Sequence, residues 1–349
     1  MAPNHQPSHA RRQWRARGWW ATLSISVAIA LFPAPAWPAS ATAPSRPTLD
    51  GIRTRLNLAS RGPFKVDVTR HGPLEQTAVA WRADGRVAVV ATGTASGYDH
   101  VAYFDRQGRL LRTVDSLLIS SVASPVRLAH ESKPCDPTTL EVASQGRVVG
   151  TLTWVFNSPS TPPGLDIAKV AARVKTAHTV WATGQNPCGV KSLVTLALPY
   201  GGATNTPAGV NGRSTLGFGA MGTLPTNFEP KPSVVPGGCL SEAVACTVNI
   251  YSTTRQIVES DIRLERDLSR FKSLGITRWA FCSPTSGCPA GGLDLLTVLI
   301  HEVGHRVGFK HVLQTNARSV MAKDLAESRV VIRNLRRADA RSRNTTYTK

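Results

Sequence analysis

The stretch that decides the fold spans residues 301–311 and reads His-Glu-Val-Gly-His-Arg-Val-Gly-Phe-Lys-His. His301 and His305 are four positions apart, so a helix presents both imidazoles on one face. Gly308 can adopt the left-handed conformation that ends a helix, after which the chain can turn and bring His311 back. The pattern therefore predicts three imidazoles that converge on one point.

Histidines at this spacing are typical of a zinc site. Zn²⁺ accepts neutral imidazole nitrogens at ~2.0–2.1 Å, and three protein ligands leave the fourth position for water, which marks a catalytic site. Glu302 follows the first ligand, where this motif places a general base. The composition of the chain predicts about 10⁻⁵ chance occurrences of the full pattern. We therefore predict a catalytic zinc ion held by His301, His305 and His311.

The full motif, H-E-x-x-H-x-x-G-x-x-H, resembles that of the metzincin metalloproteases. Metzincins carry a methionine turn below the metal, and Met321 lies ten residues beyond His311, close to the spacing of matrixins. The resemblance extends over residues 148–349, where three further segments look like parts of a matrixin catalytic domain. These segments are Leu152–Val155, Val258–Ile262 and Leu293–Val298.

This resemblance implies both a fold and an activity for residues 148–349. The fold is a metzincin-type zincin domain with a mixed twisted sheet and three helices, and the activity is hydrolysis of peptide bonds. A protein or peptide substrate would lie extended against an edge strand, which we place at Ala245–Tyr251. The tyrosine ligand of astacins and serralysins is missing, because Ala322 and Lys323 follow Met321. Neither a second zinc site nor calcium ligands can be identified from the sequence.

The chain has 349 residues and carries 41 Lys+Arg against 22 Asp+Glu, a formal net charge of +19. This length suits roughly two domains. The charge favours attraction to an anionic cell surface or wall, although we prefer a solvated basic surface as the explanation. Nucleic-acid binding is disfavoured, because no zinc finger, RNA-binding motif or phosphate loop is present. No apolar run after the N-terminus reaches ~18 residues, so we expect no transmembrane span after signal removal.

Residues 1–41 have the pattern of a signal peptide. Four arginines precede an apolar stretch at Trp19–Phe32, and small residues with A-x-A spacing follow at Ala34–Ala36 and Ala39–Ala41. The apolar stretch is short for a membrane anchor, so we expect cleavage near 36–41. The predicted location is therefore extracellular, or periplasmic and cell-wall associated.

Residues 42–147 are expected to form a linker and a small antiparallel β domain, either a propeptide or an accessory domain. Pro, Ala and Ser dominate residues 32–48, as in a linker. Two pairs of alternating apolar segments flank turns and predict hairpins. They are Ala78–Trp81 with Arg86–Ala91, and Val101–Phe104 with Leu110–Val114. The whole chain is thus predicted to be an α+β protein.

Residues 148–349 alternate between strand-like and helical patterns. A helix is predicted between Asp166, a candidate N-cap, and Gly184, a candidate C-cap. A strongly apolar helix is predicted at Leu293–Val307, and a basic helix at Val330–Arg343. Strands are predicted at Val148–Phe156, Ser192–Leu198, Ser214–Phe218, Ala245–Tyr251 and Ile257–Leu264, with a surface insertion at 200–238.

The six cysteines, an even number, suggest disulfide bonds in an exported protein. Two local pairs are predicted: Cys239 with Cys246, and Cys282 with Cys288. Cys135 and Cys188 remain and can form a third bond. Alternatively, the segment around Cys135 resembles the cysteine switch of matrixins, in which a propeptide thiolate occupies the open zinc position. Asp136 stands where that motif has glycine, and both interpretations stay open.

Two other functions compete with that of a secreted zinc endopeptidase. The first is a basic cell-surface binding protein with a vestigial protease fold, which the intact Glu302 argues against. The second is a zinc amidase that acts on cell-wall peptides, because the motif sets the metal chemistry and not the substrate.

Overall fold

The structure is a computed structural model, and its described residues form thirteen β-strands and three α-helices. The described ranges are 65–70, 76–81, 84–94, 97–118, 135, 142–221, 239, 243–312, 319–322 and 331–348.

The first five strands form an antiparallel arrangement that we call the N-terminal meander, because neighbours in sequence are also neighbours in the sheet. The strands are β1 (Lys65–Arg70), β2 (Gln76–Trp81), β3 (Val87–Thr94), β4 (Gly97–Phe104) and β5 (Leu110–Leu118). Alternation of apolar residues suits strands with one buried face, where Ala78, Ala80 and Val89 pack together. Both predicted hairpins are present, as β2 with β3 and β4 with β5.

Six further strands continue this sheet, and two short strands form a separate parallel pair. The further strands are β6 (Arg147–Val148), β7 (Trp154–Asn157), β8 (Tyr200–Thr204), β9 (Ser214–Gly219), β10 (Ala243–Tyr251) and β11 (Gln256–Glu265). The separate pair is β12 (Arg278–Ala280) and β13 (Gly292–Asp294). The order across the main sheet is β1-β2-β3-β4-β5-β10-β11-β9-β7-β8, with β6 paired to β11. The sheet is mixed, because β10 runs antiparallel to β11 while β11, β9, β7 and β8 are mutually parallel.

The N-terminal meander and the rest of the main sheet are joined by β5 and β10. Seven residue pairs align β10 with β5 in antiparallel register, and β11 pairs with the opposite side of β10. The prediction that Ala245–Tyr251 is an edge strand is therefore wrong, since hydrogen bonds engage both of its sides. The boundary predicted between residues 147 and 148 does not separate two sheets.

Helix α1 (Ile167–Thr183) has the ends that the sequence predicts. The Asp166 side chain accepts a hydrogen bond from the backbone N–H of Lys169, and Gly184 ends the helix with φ 71°. The buried face of this helix presents Val170, Val174, Ala177, His178, Val180 and Trp181.

The second helix contains the first half of the histidine motif. This helix, α2 (Leu295–Arg306), is buried along its whole length, which agrees with the predicted apolar helix. Helix α3 (Arg337–Tyr347) begins later than predicted. The reason is that Asp339 accepts a hydrogen bond from the backbone N–H of Arg336 and fixes the first turn there. Short 3-10 helices lie at Ser158–Ser160 and Leu268–Leu274.

Two of the predicted strands differ from the structure. Val148–Phe156 is interrupted and becomes β6 and β7, because β6 pairs with β11 whereas β7 pairs with β8 and β9. Ser192–Leu198 forms no strand and makes only an isolated bridge to Thr151. The predicted insertion at 200–238 contains β8 and β9, and its residues 222–238 lie outside the described part of the chain.

The principal core includes side chains from the main sheet and from helices α1 and α2. Trp154 and Phe156 of β7 and Leu216 of β9 belong to one buried cluster with Val174 and Trp181 of α1. Burial of one Leu or Phe side chain stabilises a fold by about 1.5–3 kcal/mol. This cluster therefore holds α2, which carries the histidines, in a fixed position against the sheet.

All six cysteines form disulfide bonds in the structure. The bonds join Cys135 to Cys188, Cys239 to Cys246, and Cys282 to Cys288. The first bond ties the segment before β6 to the loop after α1. A disulfide-bonded Cys135 has no thiolate to offer a metal, so the structure favours the third disulfide over the cysteine switch.

Among the described residues, no helix combines the length and the apolar character needed to cross a membrane. The predicted signal peptide at 1–41 and the Pro-rich linker at 32–48 lie outside the described residues.

The disulfide pattern predicts the outcome of a thiol titration. The unreduced protein, unfolded in denaturant, should show no free thiol, because all of its cysteines are bonded. After reduction, the same assay should detect all six. Two free thiols in the unreduced protein, mapped to Cys135 and Cys188, would restore the cysteine switch as an explanation.

Candidate metal centre

Helix α2 and the chain that follows it bring three imidazoles together. The Nε2 atoms of His301, His305 and His311 lie 3.0 Å apart in all three pairs. His301 and His305 are about one helical turn apart, and His311 returns after Gly308, whose φ is 95°. The three predicted ligands therefore meet in one group that could hold a metal ion.

Backbone carbonyls hold the outer nitrogens of two of these rings. His301 Nδ1 donates to the carbonyl of Val320 at 2.8 Å, and His305 Nδ1 donates to the carbonyl of Phe309 at 2.7 Å. A proton on Nδ1 leaves Nε2 of the neutral ring with a lone pair. These hydrogen bonds therefore select the tautomer that binds a metal through Nε2 and fix the orientation of each ring.

Burial favours the neutral form of two of these rings. It lowers the pKa of His301 to about 4 and the pKa of His305 well below its ordinary value. A neutral ring that is protonated on Nδ1 has only an acceptor at Nε2. Two such rings therefore cannot form a hydrogen bond between Nε2 atoms that lie 3.0 Å apart. A cation shared by the three lone pairs removes this conflict. The donor set therefore fits a divalent ion such as Zn²⁺, for which imidazole is a preferred ligand.

Glu302 is fully buried beside the histidines. Thr247 Oγ1 on β10 donates to Glu302 Oε2 at 2.6 Å, whereas none of the described residues donates to Oε1. A buried carboxylate oxygen without a partner is costly, so Oε1 is suited to bind a ligand such as water. Burial raises the pKa of Glu302 well above its ordinary value; the Thr247 hydrogen bond opposes this rise, and the charge of Asp115 adds to it.

Met321 packs against the helix that carries two of the predicted ligands. A Cβ atom at Gly304 of α2 would lie 2.1 Å from Met321 Sδ and 2.7 Å from Cζ2 of Trp181. Only a residue without a side chain allows this close approach. The residue predicted for the methionine turn is therefore fully buried against α2.

Helix α3 fixes the segment that carries Met321. The buried carboxylate of Asp339 accepts a hydrogen bond from Ser319 Oγ and another, at 3.0 Å, from the backbone N–H of Val320. The carbonyl of the same Val320 holds His301. Asp339 thus positions His301, a predicted metal ligand, through one intervening residue, a role that the sequence did not reveal.

Arg306 anchors the C-terminal end of α2. Its Nη2 donates to the carbonyls of Thr215 and Ser260 at 3.2 and 2.7 Å, and its Nη1 donates to His178 Nε2 at 2.7 Å. The His178 ring stacks on Trp154 with 3.8 Å between ring centroids. Sequence reasoning missed this network, although a charged residue inside an apolar helix was the available indication.

Two carboxylates of the N-terminal meander also lie close to the histidines. Asp115 Oδ1 on β5 is 3.8 Å from His305 Nδ1 and accepts a hydrogen bond from His100 Nδ1 at 2.7 Å. Asp99 Oδ2 on β4 is 3.6 Å from His311 Nδ1. Burial by itself raises the pKa of Asp115, but His100 and His305 outweigh it and hold that pKa below its ordinary value. Sequence reasoning missed both carboxylates, because their distance in sequence from the motif is large.

Comparison with protein-family models finds no match, and comparison with curated proteins finds none either. Among solved structures, the chain is similar to metalloproteinase-II from Bacteroides fragilis, with 9% sequence identity and a TM-score of 0.29. The similarity covers 82% of this chain and 87% of that chain. A similarity at this level establishes neither a shared fold nor a shared activity.

The packing of Met321 on α2 predicts the effect of Gly304→Ala. The added methyl group would overpack the contact with Met321 Sδ, so we expect the free energy of unfolding to fall by about 1–3 kcal/mol. Urea unfolding followed by tryptophan fluorescence would measure the loss. In the Met321→Ala background the same substitution should cost less, because the shorter side chain leaves room. Equal losses in both backgrounds would contradict the proposed contact.

Proposed function

We propose that this protein is a secreted zinc-dependent endopeptidase of the metzincin type. The observation that carries the proposal is the convergence of three Nε2 atoms, from His301, His305 and His311, beside the buried Glu302. Three protein ligands leave one coordination position open. When bound, Zn²⁺ lowers the pKa of a water molecule and polarises a peptide carbonyl.

Glu302 is the proposed general base. Its Oε1 accepts a proton from a water molecule and later gives it to the nitrogen of the leaving amine. Thr247 holds Oε2, so the carboxylate presents Oε1 in a fixed orientation.

The N-terminal meander covers the β10 edge in the described conformation. β5 pairs along β10, and Asp115 of β5 lies opposite Thr247 of β10 in the register. His301, His305 and Glu302 have no exposed surface. An extended peptide that adds a strand to a sheet needs unpaired backbone groups, and β5 already occupies those of β10. We therefore infer that the meander acts as a propeptide and must leave before a substrate can bind.

Two features support export of the protein. The N-terminal 41 residues have the signal-peptide pattern, and three disulfides suit an oxidising compartment. The chain without its signal sequence would retain a charge of about +15, which favours attraction to an anionic cell surface or wall.

The role of Glu302 predicts a separation of metal binding from hydrolysis. Glu302→Gln should retain zinc, because Glu302 is not a ligand, but should hydrolyse casein about 10²–10⁴-fold more slowly. Zinc content by atomic emission and a casein digest, each with the meander removed, would measure the two properties. His311→Gln is the matched comparison and should lose both.

Three outcomes would contradict the proposal in different ways. Absence of bound zinc in the wild-type protein would contradict the proposed metal centre. Full activity of Glu302→Gln would contradict the role of Glu302 as general base. Zinc-dependent hydrolysis of cell-wall peptides, without hydrolysis of casein, would favour the amidase over the endopeptidase.

The covering of β10 by β5 predicts activation by cleavage. A site for a specific protease, inserted between Leu118 and Cys135, would release the meander and leave the Cys135–Cys188 bond intact. Casein hydrolysis should rise after cleavage and removal of the fragment, because β10 then offers a free edge. Cleaved Glu302→Gln protein controls for the added protease. Equal activity before and after removal would show that the meander is a permanent domain.

A further inference from the structure

We propose that the N-terminal meander is an outer part of the metal centre, in which Asp115 and Asp99 stabilise the bound ion through His305 and His311. Docking of the meander and binding of the metal then strengthen each other. This inference rests on the proposed zinc site and adds a second role for the meander, beyond its covering of β10.

The charge of the ion creates the need for these carboxylates. Three neutral imidazoles donate lone pairs but no negative charge, so a buried divalent cation keeps its full charge in a site of low polarity. Within α2, Glu302 is the carboxyl group next to the first histidine of the motif. Among the described residues, two carboxylates of the meander also approach the predicted ligand rings, at 3.8 Å for Asp115 and 3.6 Å for Asp99.

Asp115 is placed for this role by the sheet. It lies on β5 opposite Thr247, whose hydroxyl donates to the Glu302 carboxylate, and it is 1% exposed. The hydrogen bond from His100 Nδ1, at 2.7 Å, holds Oδ1 near the ring of His305. The Nδ1–H of His305 is donated to the Phe309 carbonyl, so the Asp115 carboxylate, 3.8 Å away, would act on the ring and on the bound ion through its charge.

Asp99 reaches the third ligand from a β-bulge. His100 pairs with Thr92 and Tyr98 pairs with Gly93, so Asp99 is an additional residue in β4. Bulges of this kind redirect one side chain out of the regular alternation. Here the redirected carboxylate lies 3.6 Å from His311 Nδ1, and both side chains are largely buried.

Linkage makes the interaction reciprocal. If the two carboxylates stabilise the metal-bound state, the metal must stabilise the docked meander by the same coupling free energy. Loss of an outer partner that is hydrogen-bonded to a metal ligand costs about 10–100-fold in metal affinity, and we expect these charge contacts to lie at the lower end of that range. A cleaved protein that has lost the meander would accordingly hold zinc less tightly than the intact chain.

The test is a measurement of zinc affinity on the full chain, by competition with a chromogenic chelator. Asp115→Asn keeps the shape of the side chain and its acceptor for His100, and it should bind zinc about 10-fold more weakly than wild type. Asp99→Asn should show a loss of the same order. Asp67→Asn is the matched control, because it removes the same charge from an exposed position on β1. It should leave the zinc affinity unchanged.

Hydrogen exchange provides a second measurement that needs no variant. In wild-type protein, amides of β5 should exchange more slowly with zinc than after its removal by a chelator, and this difference should shrink in Asp115→Asn. If the wild-type protein binds zinc, either of two results would overturn the inference. One is an equal zinc affinity of Asp115→Asn and Asp67→Asn, and the other is hydrogen exchange in β5 that does not change with zinc. Wild-type protein that binds no zinc would instead contradict the metal centre itself.

Discussion

Three imidazoles whose Nε2 atoms lie 3.0 Å apart form the constraint on which the rest of the structure depends. Lone pairs that point at each other are unfavourable unless a cation lies between them. The surrounding chain must therefore fix each ring through atoms other than Nε2. Backbone carbonyls of Val320 and Phe309 do this for His301 and His305, and both belong to the turns that follow α2.

Support for the centre comes from two directions. On the C-terminal side, Asp339 of α3 fixes the segment around Val320, while Met321 fills the space that Gly304 leaves on α2. On the N-terminal side, the sheet continues from β10 into β5 and brings Asp115 to the ring of His305. The two sides differ in kind. The first uses packing and hydrogen bonds within the proposed catalytic unit, whereas the second uses charges from a segment that we propose is removable.

The pairing of β5 with β10 gives the proposed enzyme a simple means of latency. A strand that already has partners on both sides cannot accept a third, so backbone hydrogen bonding alone excludes an extended substrate. The same pairing places a carboxylate near the metal centre. Covering of the site and stabilisation of its ion would thus be two results of one strand register.

Much of the candidate site followed from the sequence because its chemistry depends on short spacings. The four-residue interval from His301 to His305, and the caps Asp166 and Gly184 of α1, are local properties that a helix converts directly into geometry. The approach of Asp115 to His305, and of His178 to Arg306, was decided only by the tertiary structure. These partners are separated by more than a hundred residues, and the sheet register and helix packing that join them leave no fixed spacing in the sequence.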